Sequence, residues 1–136
     1  MEIIVNQVPP EKRKIKPTDE SKLGFGKIFT DHMFTMRYRQ DKGWYDPVLG
    51  PYGPLSLDPT AQCLHYGQEI FEGMKAYRHP DDSIWLFRPQ ANAARFARSA
   101  TRLALPVLPE ADFLGSIEAL VAADLAWVPS GGEKSL

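Results

Sequence analysis

Few side chains in this sequence have the types and spacing that chemistry requires. His32, His65 and His79 lie in separate local contexts, none with the paired spacing of a helical metal site, and Cys63 has no second cysteine to join it. A zinc centre is therefore not expected. Cys63 stands two residues before His65, a spacing that on a strand shares one face without ensuring the hydrogen bond a thiolate nucleophile needs, so a small buried thiol is the stronger reading. Glu69 and Glu72 fall three apart and could share one side of a helical turn, but two carboxylates alone do not specify acid/base catalysis. Gly24-Phe25-Gly26 leads into a strand rather than a helix N-terminus, which leaves no phosphate loop and no dinucleotide site. Arg95 would offer planar, permanently charged donors to a phosphate, although residue type alone favours a solvent-facing helical arginine.

The chain that must position these groups has 136 residues, enough for one domain with a real core. Its 43% apolar and 24% charged residues are close to the averages for soluble globular proteins. Sixteen basic and 17 acidic residues leave a net charge of -1, which removes the electrostatic basis for non-specific nucleic-acid binding. A lone cysteine permits a reducing, cytoplasmic compartment. The apolar run at Met1–Val5 is too short and lacks the basic flank of a secretory signal, and no stretch could span a bilayer.

Pro9, Pro10 and Pro17 among Glu11, Lys12, Arg13, Lys14 and Lys16 oppose a packed helix or strand, so residues 1–24 read as an extended arm whose basic cluster is solvated. Phe29 to Tyr38 is rich in strand-favouring residues. Residues 40–59, with Gly43, Pro47, Gly50, Pro51, Gly53, Pro54 and Pro59, read as turns and irregular extended pieces. One or two helical turns are expected from Tyr66 to Glu72, closed by Gly73. Met74–Arg78 and Ile84–Arg88, with a polar turn between them, form a hairpin that includes Lys75. Helices should start at Pro89 and near Pro109, the second ending before Pro129. Strands followed by helices indicate a two-layer α+β domain.

Four segments resemble the N-terminal part of branched-chain amino acid aminotransferases, which are fold-type IV pyridoxal phosphate (PLP) enzymes. They are Phe25-Gly26-Lys27-Ile28-Phe29-Thr30-Asp31-His32-Met33, Leu64-His65-Tyr66 through Phe71-Glu72-Gly73-Met74-Lys75-Ala76-Tyr77-Arg78, Leu86-Phe87-Arg88-Pro89, and Ala94-Arg95-Phe96-Ala97-Arg98-Ser99-Ala100. The resemblance implies that 25–136 is the small domain of such an enzyme, C-terminally incomplete and without its large PLP-binding domain. By motif position Arg95 would bind the PLP phosphate, and Phe25, Tyr66 and Phe71 would line an apolar pocket for the substrate side chain. Taken singly, each aromatic more commonly just fills a core. The Schiff-base lysine would lie beyond Leu136, so no catalytic residue is expected in this chain, Lys75 included, and the chain alone should not turn over. The substrates implied are leucine, isoleucine or valine with 2-oxoglutarate, in a cytoplasmic homodimer. The alternatives are a D-amino acid aminotransferase or aminodeoxychorismate lyase on the same scaffold, or a non-catalytic binding or assembly module.

Overall fold

The computed structural model describes residues 1–24, 26–130 and 134–136. A three-stranded sheet is ordered β1-β3-β2, from β1 (Ile4–Val5), β2 (His32–Arg39) and β3 (Gly43–Pro51). β2 and β3 run antiparallel, and β1 adds to β3 in parallel through Ile4 opposite Val48 and Val5 opposite Leu49. The turn from β2 into β3 closes with the Lys42 amide on the Arg39 carbonyl at 3.0 Å, and Gly43 takes φ +71°, a left-handed conformation that glycine adopts without penalty.

β3 corrects the expectation of irregular loop over this stretch. Pro47 lies inside a strand because the ladder skips it. Thr35 pairs with Val48 and Arg37 with Tyr45, so Asp46 and Pro47 together oppose Met36 in a β-bulge. Asp46 has φ +57°, and Pro47, which has no N–H to donate, occupies a position where the ladder asks for none. Leu49, two residues on, is 3% exposed and anchors the strand in the core.

The N-terminal segment docks along this sheet through Val8 and Lys14, while the residues of its basic stretch, Lys12, Arg13, Lys14 and Lys16, remain exposed. Val8 is buried. The Lys14 amide donates to Asp31 Oδ1 at 2.8 Å, and Lys14 Nζ reaches the carbonyl of Thr30 at 2.6 Å. Prolines and charges oppose autonomous structure in such a segment, but they do not prevent it from binding along a strand already formed.

The second sheet is a hairpin of β4 (Ala76–Arg78) and β5 (Ile84–Leu86), as the turn chemistry between them required. On the other side of β4, Leu136 exchanges both backbone hydrogen bonds with Ala76, at 2.8 and 3.0 Å. α1 (Gln62–Tyr66) forms just upstream of the expected turns and stops at Gly67, φ +58°, so 68–75 has no regular structure and Lys75 lies before β4 rather than on it.

α2 (Pro89–Arg102) starts with proline in its first turn, as its sequence indicated. Ala93 and Ala100, each 1% exposed, form its buried face. The helix ends in a Schellman motif. The Leu105 amide reaches the Ala100 carbonyl at 2.9 Å and the Ala104 amide reaches Thr101 at 3.2 Å, with Ala104 held at φ +54°. α3 (Glu110–Ala123) packs on α2 through Phe113, whose ring centroid lies 4.9 Å from that of Phe96. The described residues form a small α+β domain of three α-helices and two small sheets.

A buried polar cluster ties these layers together. Val8 N–H donates to His32 Nε2 at 3.0 Å, so that nitrogen accepts and the ring proton sits on Nδ1, 2.7 Å from Asp124 Oδ1. Asp124 Oδ2 takes the His32 amide at 3.0 Å. Next to it, Asp31 receives the Lys14 amide and the Trp127 indole N–H. Burial would raise the Asp31 carboxyl, but these two donors outweigh it and hold the group below its ordinary value. The cluster joins the N-terminal segment, the start of β2 and the end of α3, and every buried side-chain polar atom among the described residues has a partner.

Candidate functional site

Arg95 lies in the middle of α2, on the face opposite its buried alanines. Its Nε donates to Glu72 Oε2 at 2.8 Å and its Nη2 to Glu72 Oε1 at 2.5 Å, a two-pronged contact that fixes the plane of the guanidinium. Asn92, one helical turn earlier, donates from Nδ2 to Glu72 Oε1 at 2.8 Å and to the Gly73 carbonyl at 2.9 Å. These bonds pin the irregular segment 68–75 to α2.

The two partners are unequal. The Glu72 side chain is 5% exposed, the Arg95 side chain 59%. Arg95 pulls the Glu72 carboxyl from 4.5 down to about 2 against the opposing effect of burial, with Asn92 assisting. Arg95 is in turn raised above the ordinary arginine value by Glu72. Among the described residues, Arg95 Nη1 has no hydrogen-bond partner. The arrangement is an oriented cation with one nitrogen to spare.

Arg95 separates two cavities. One, of about 350 Å³, is lined by Lys75, Tyr77, Phe87, Arg88, Asn92 and Arg95. The other, of about 370 Å³, is lined by Phe71, Arg95, Arg98, Ser99 and Arg102 among others. Phe71 also borders a larger space of about 790 Å³ beside Lys75 and Leu136. The structure thus brings Phe71 and Arg95 to one cavity.

Tyr66 ends α1 at 79% exposure and lines none of these three spaces, and Phe71 is 89% exposed. Neither fills the core of this chain. Phe25 lies outside the described residues. Among the described residues the His65 ring bonds only at Pro59, its Nε2–H donating to that carbonyl at 2.5 Å, and both ring nitrogens of His32 are engaged in the buried cluster. No group of three or more His, Cys, Asp or Glu among the described residues could hold a metal ion. No helix among them is long and apolar enough to cross a membrane.

Asn92 is the site residue that sequence reasoning missed, and Glu72, weighed there only beside Glu69, was not joined to Arg95. The spacing of Asn92 and Arg95, three apart on one helix face, was the available signal. Nothing local indicated that a carboxylate 23 residues away would meet them.

No protein-family model matches the chain. Curated proteins are similar to it over most of its length, three of them as follows. The branched-chain-amino-acid aminotransferase of Mycolicibacterium smegmatis is 59% identical over 114 residues, 83% of this chain and 31% of that protein. Branched-chain-amino-acid aminotransferase 2 of Bacillus subtilis is 50% identical over 124 residues, 91% of this chain and 34% of that one. A probable branched-chain-amino-acid aminotransferase of Staphylococcus aureus is 46% identical over 126 residues, covering 93% and 35%. The chain spans about a third of the length of the curated relatives it matches.

Proposed function

We propose that this chain is the N-terminal small-domain part of a fold-type IV, PLP-dependent branched-chain amino acid aminotransferase. The intact protein would move the amino group of leucine, isoleucine or valine to 2-oxoglutarate, in a cytoplasmic homodimer. The observation that carries this reading is the identity to proteins named for that activity. Those names favour it over the D-amino acid aminotransferase, lyase and non-catalytic alternatives.

PLP suits the residues present. The cavity lined by Lys75, Arg88 and Arg95 offers three cations, and Glu72, the carboxylate bonded to Asn92 and Arg95, is already committed to them. Arg95 would hold a phosphate oxygen through Nη1, with Glu72 keeping its guanidinium plane fixed. When bound, PLP would take up the amino group of one substrate and release it to an oxo acid. The lysine that carries PLP would lie outside residues 1–136, so this chain would contribute cofactor grip and substrate choice.

Phe71, with Tyr66 and Phe25, would form the apolar wall for the substrate side chain. An aromatic ring that is 89% exposed in this chain becomes a wall when a further surface covers it, and burying a large apolar side chain fully is worth about 1.5–3 kcal/mol. The remainder of the protein and a second subunit would provide that cover.

The test replaces the matching third of the M. smegmatis relative with residues 1–136 and assays leucine and alanine as amino donors. Transfer from leucine to 2-oxoglutarate is expected. Phe71→Ala should lower the leucine-to-alanine ratio of kcat/KM by roughly 10- to 200-fold, the usual range for apolar pocket discrimination. A folded chimera that binds PLP but transfers nothing contradicts the function. An unchanged ratio contradicts the wall.

A further inference from the structure

α2 carries three arginines on one exposed face, and only one of them is neutralised. Arg95 is paired with Glu72, whereas Arg98 and Arg102 have neither an ion pair nor a hydrogen bond among the described residues. They stand four apart, with their Cβ atoms about 5–6 Å from each other, a spacing at which like charges destabilise a helix. Both line the cavity of about 370 Å³, and so does Ser99, whose hydroxyl makes no hydrogen bond among the described residues. The rest of the lining is Arg95, already committed to Glu72, and the apolar Ile70, Phe71 and Leu103.

We infer that this cavity binds a small apolar carboxylate, its charge held between Arg98 and Arg102 with the Ser99 hydroxyl, its apolar body against Ile70, Phe71 and Leu103. Guanidinium forks match a carboxylate in two-pronged geometry, and an anion between them relieves their repulsion. The volume lies at the lower end of the range for ligand cavities, which suits a compact molecule. Arg102 closes the helix, where the backbone dipole disfavours an anion, so the two guanidiniums must supply the affinity themselves. The cavity shares Phe71 and Arg95 with the proposed function, but its anchoring charges are Arg98 and Arg102, so it survives or fails without the phosphate role of Arg95.

The test is a titration of the 136-residue chain with benzoate, followed by backbone amide NMR shifts, against its neutral isostere benzamide and against inorganic phosphate. Benzoate should shift the amides of 70–71 and 98–103 in a saturable way, benzamide should leave them unmoved, and phosphate should bind more weakly for lack of an apolar body. The R98A/R102A variant, altered only at exposed positions, should keep its dispersed spectrum and lose benzoate affinity at least tenfold. Equal binding of benzamide, shifts scattered over the other basic residues, or a folded double variant that binds benzoate like the parent would overturn the site. Phosphate binding as tight as benzoate would overturn the apolar half of the assignment.

Discussion

The His32–Asp124 pair and the Glu72–Arg95 pair both join a carboxylate to a nitrogen-bearing side chain across a long stretch of sequence, yet one is closed and the other open. His32 and Asp124 are 3% and 1% exposed at their side chains, and every ring nitrogen and carboxylate oxygen has a partner. Arg95 is 59% exposed, and its Nη1 faces no partner among the described residues. A closed pair can only hold the fold; an open one can hold the fold and still take a ligand.

Removing one partner from the closed pair should have the largest effect. Asp124→Ala strands the His32 Nδ1–H and the His32 amide in the core, and each buried donor left without a partner costs about 1–3 kcal/mol. Urea unfolding of the 136-residue chain measures it, and the N-terminal segment held through Val8 should loosen in the same variant. A loss under 1 kcal/mol would mean that the cluster is not what joins the layers.

The open pair should reveal itself by its dependence on pH. Glu72 titrates at about 2 in the folded chain against 4.5 for the free group, so its contribution is complete above pH 4.5 and lost as pH falls through about 2. Melting temperatures of the parent and of Glu72→Gln should therefore differ by a constant amount at neutral pH and converge as acid is added below 4.5. A difference that persists unchanged to pH 2 would show that Arg95 does not stabilise the carboxylate.

The contrast also marks what the sequence could disclose. The hairpin, α2 and α3 follow from turn residues, proline positions and helical periodicity, all of which act within a few residues. β3 was hidden because Pro47 and its neighbours read as breakers until a bulge makes room for them, and that bulge exists only once β2 supplies the opposite strand. α1 was displaced because Gly67 rather than Gly73 ends it, two glycines equally able to do so. Arg95 is marked by the motif around it as a candidate and no more. Its orientation by Glu72, like the meeting of His32 with Asp124 from 92 residues away, depends on packing that no local pattern encodes.

The most direct measurement compares stability and cofactor affinity in Arg95→Ala, the first by urea unfolding of the 136-residue chain, the second by PLP absorbance titration of the chimera with the M. smegmatis relative. An open, oriented guanidinium predicts that the variant loses less stability than Asp124→Ala while PLP binding weakens tenfold or more, since a hydrogen bond to a charged group is worth about 1.5–3 kcal/mol. PLP affinity equal to that of the parent, with stability lowered as far as in Asp124→Ala, would contradict it and make Glu72–Arg95 a second structural clasp.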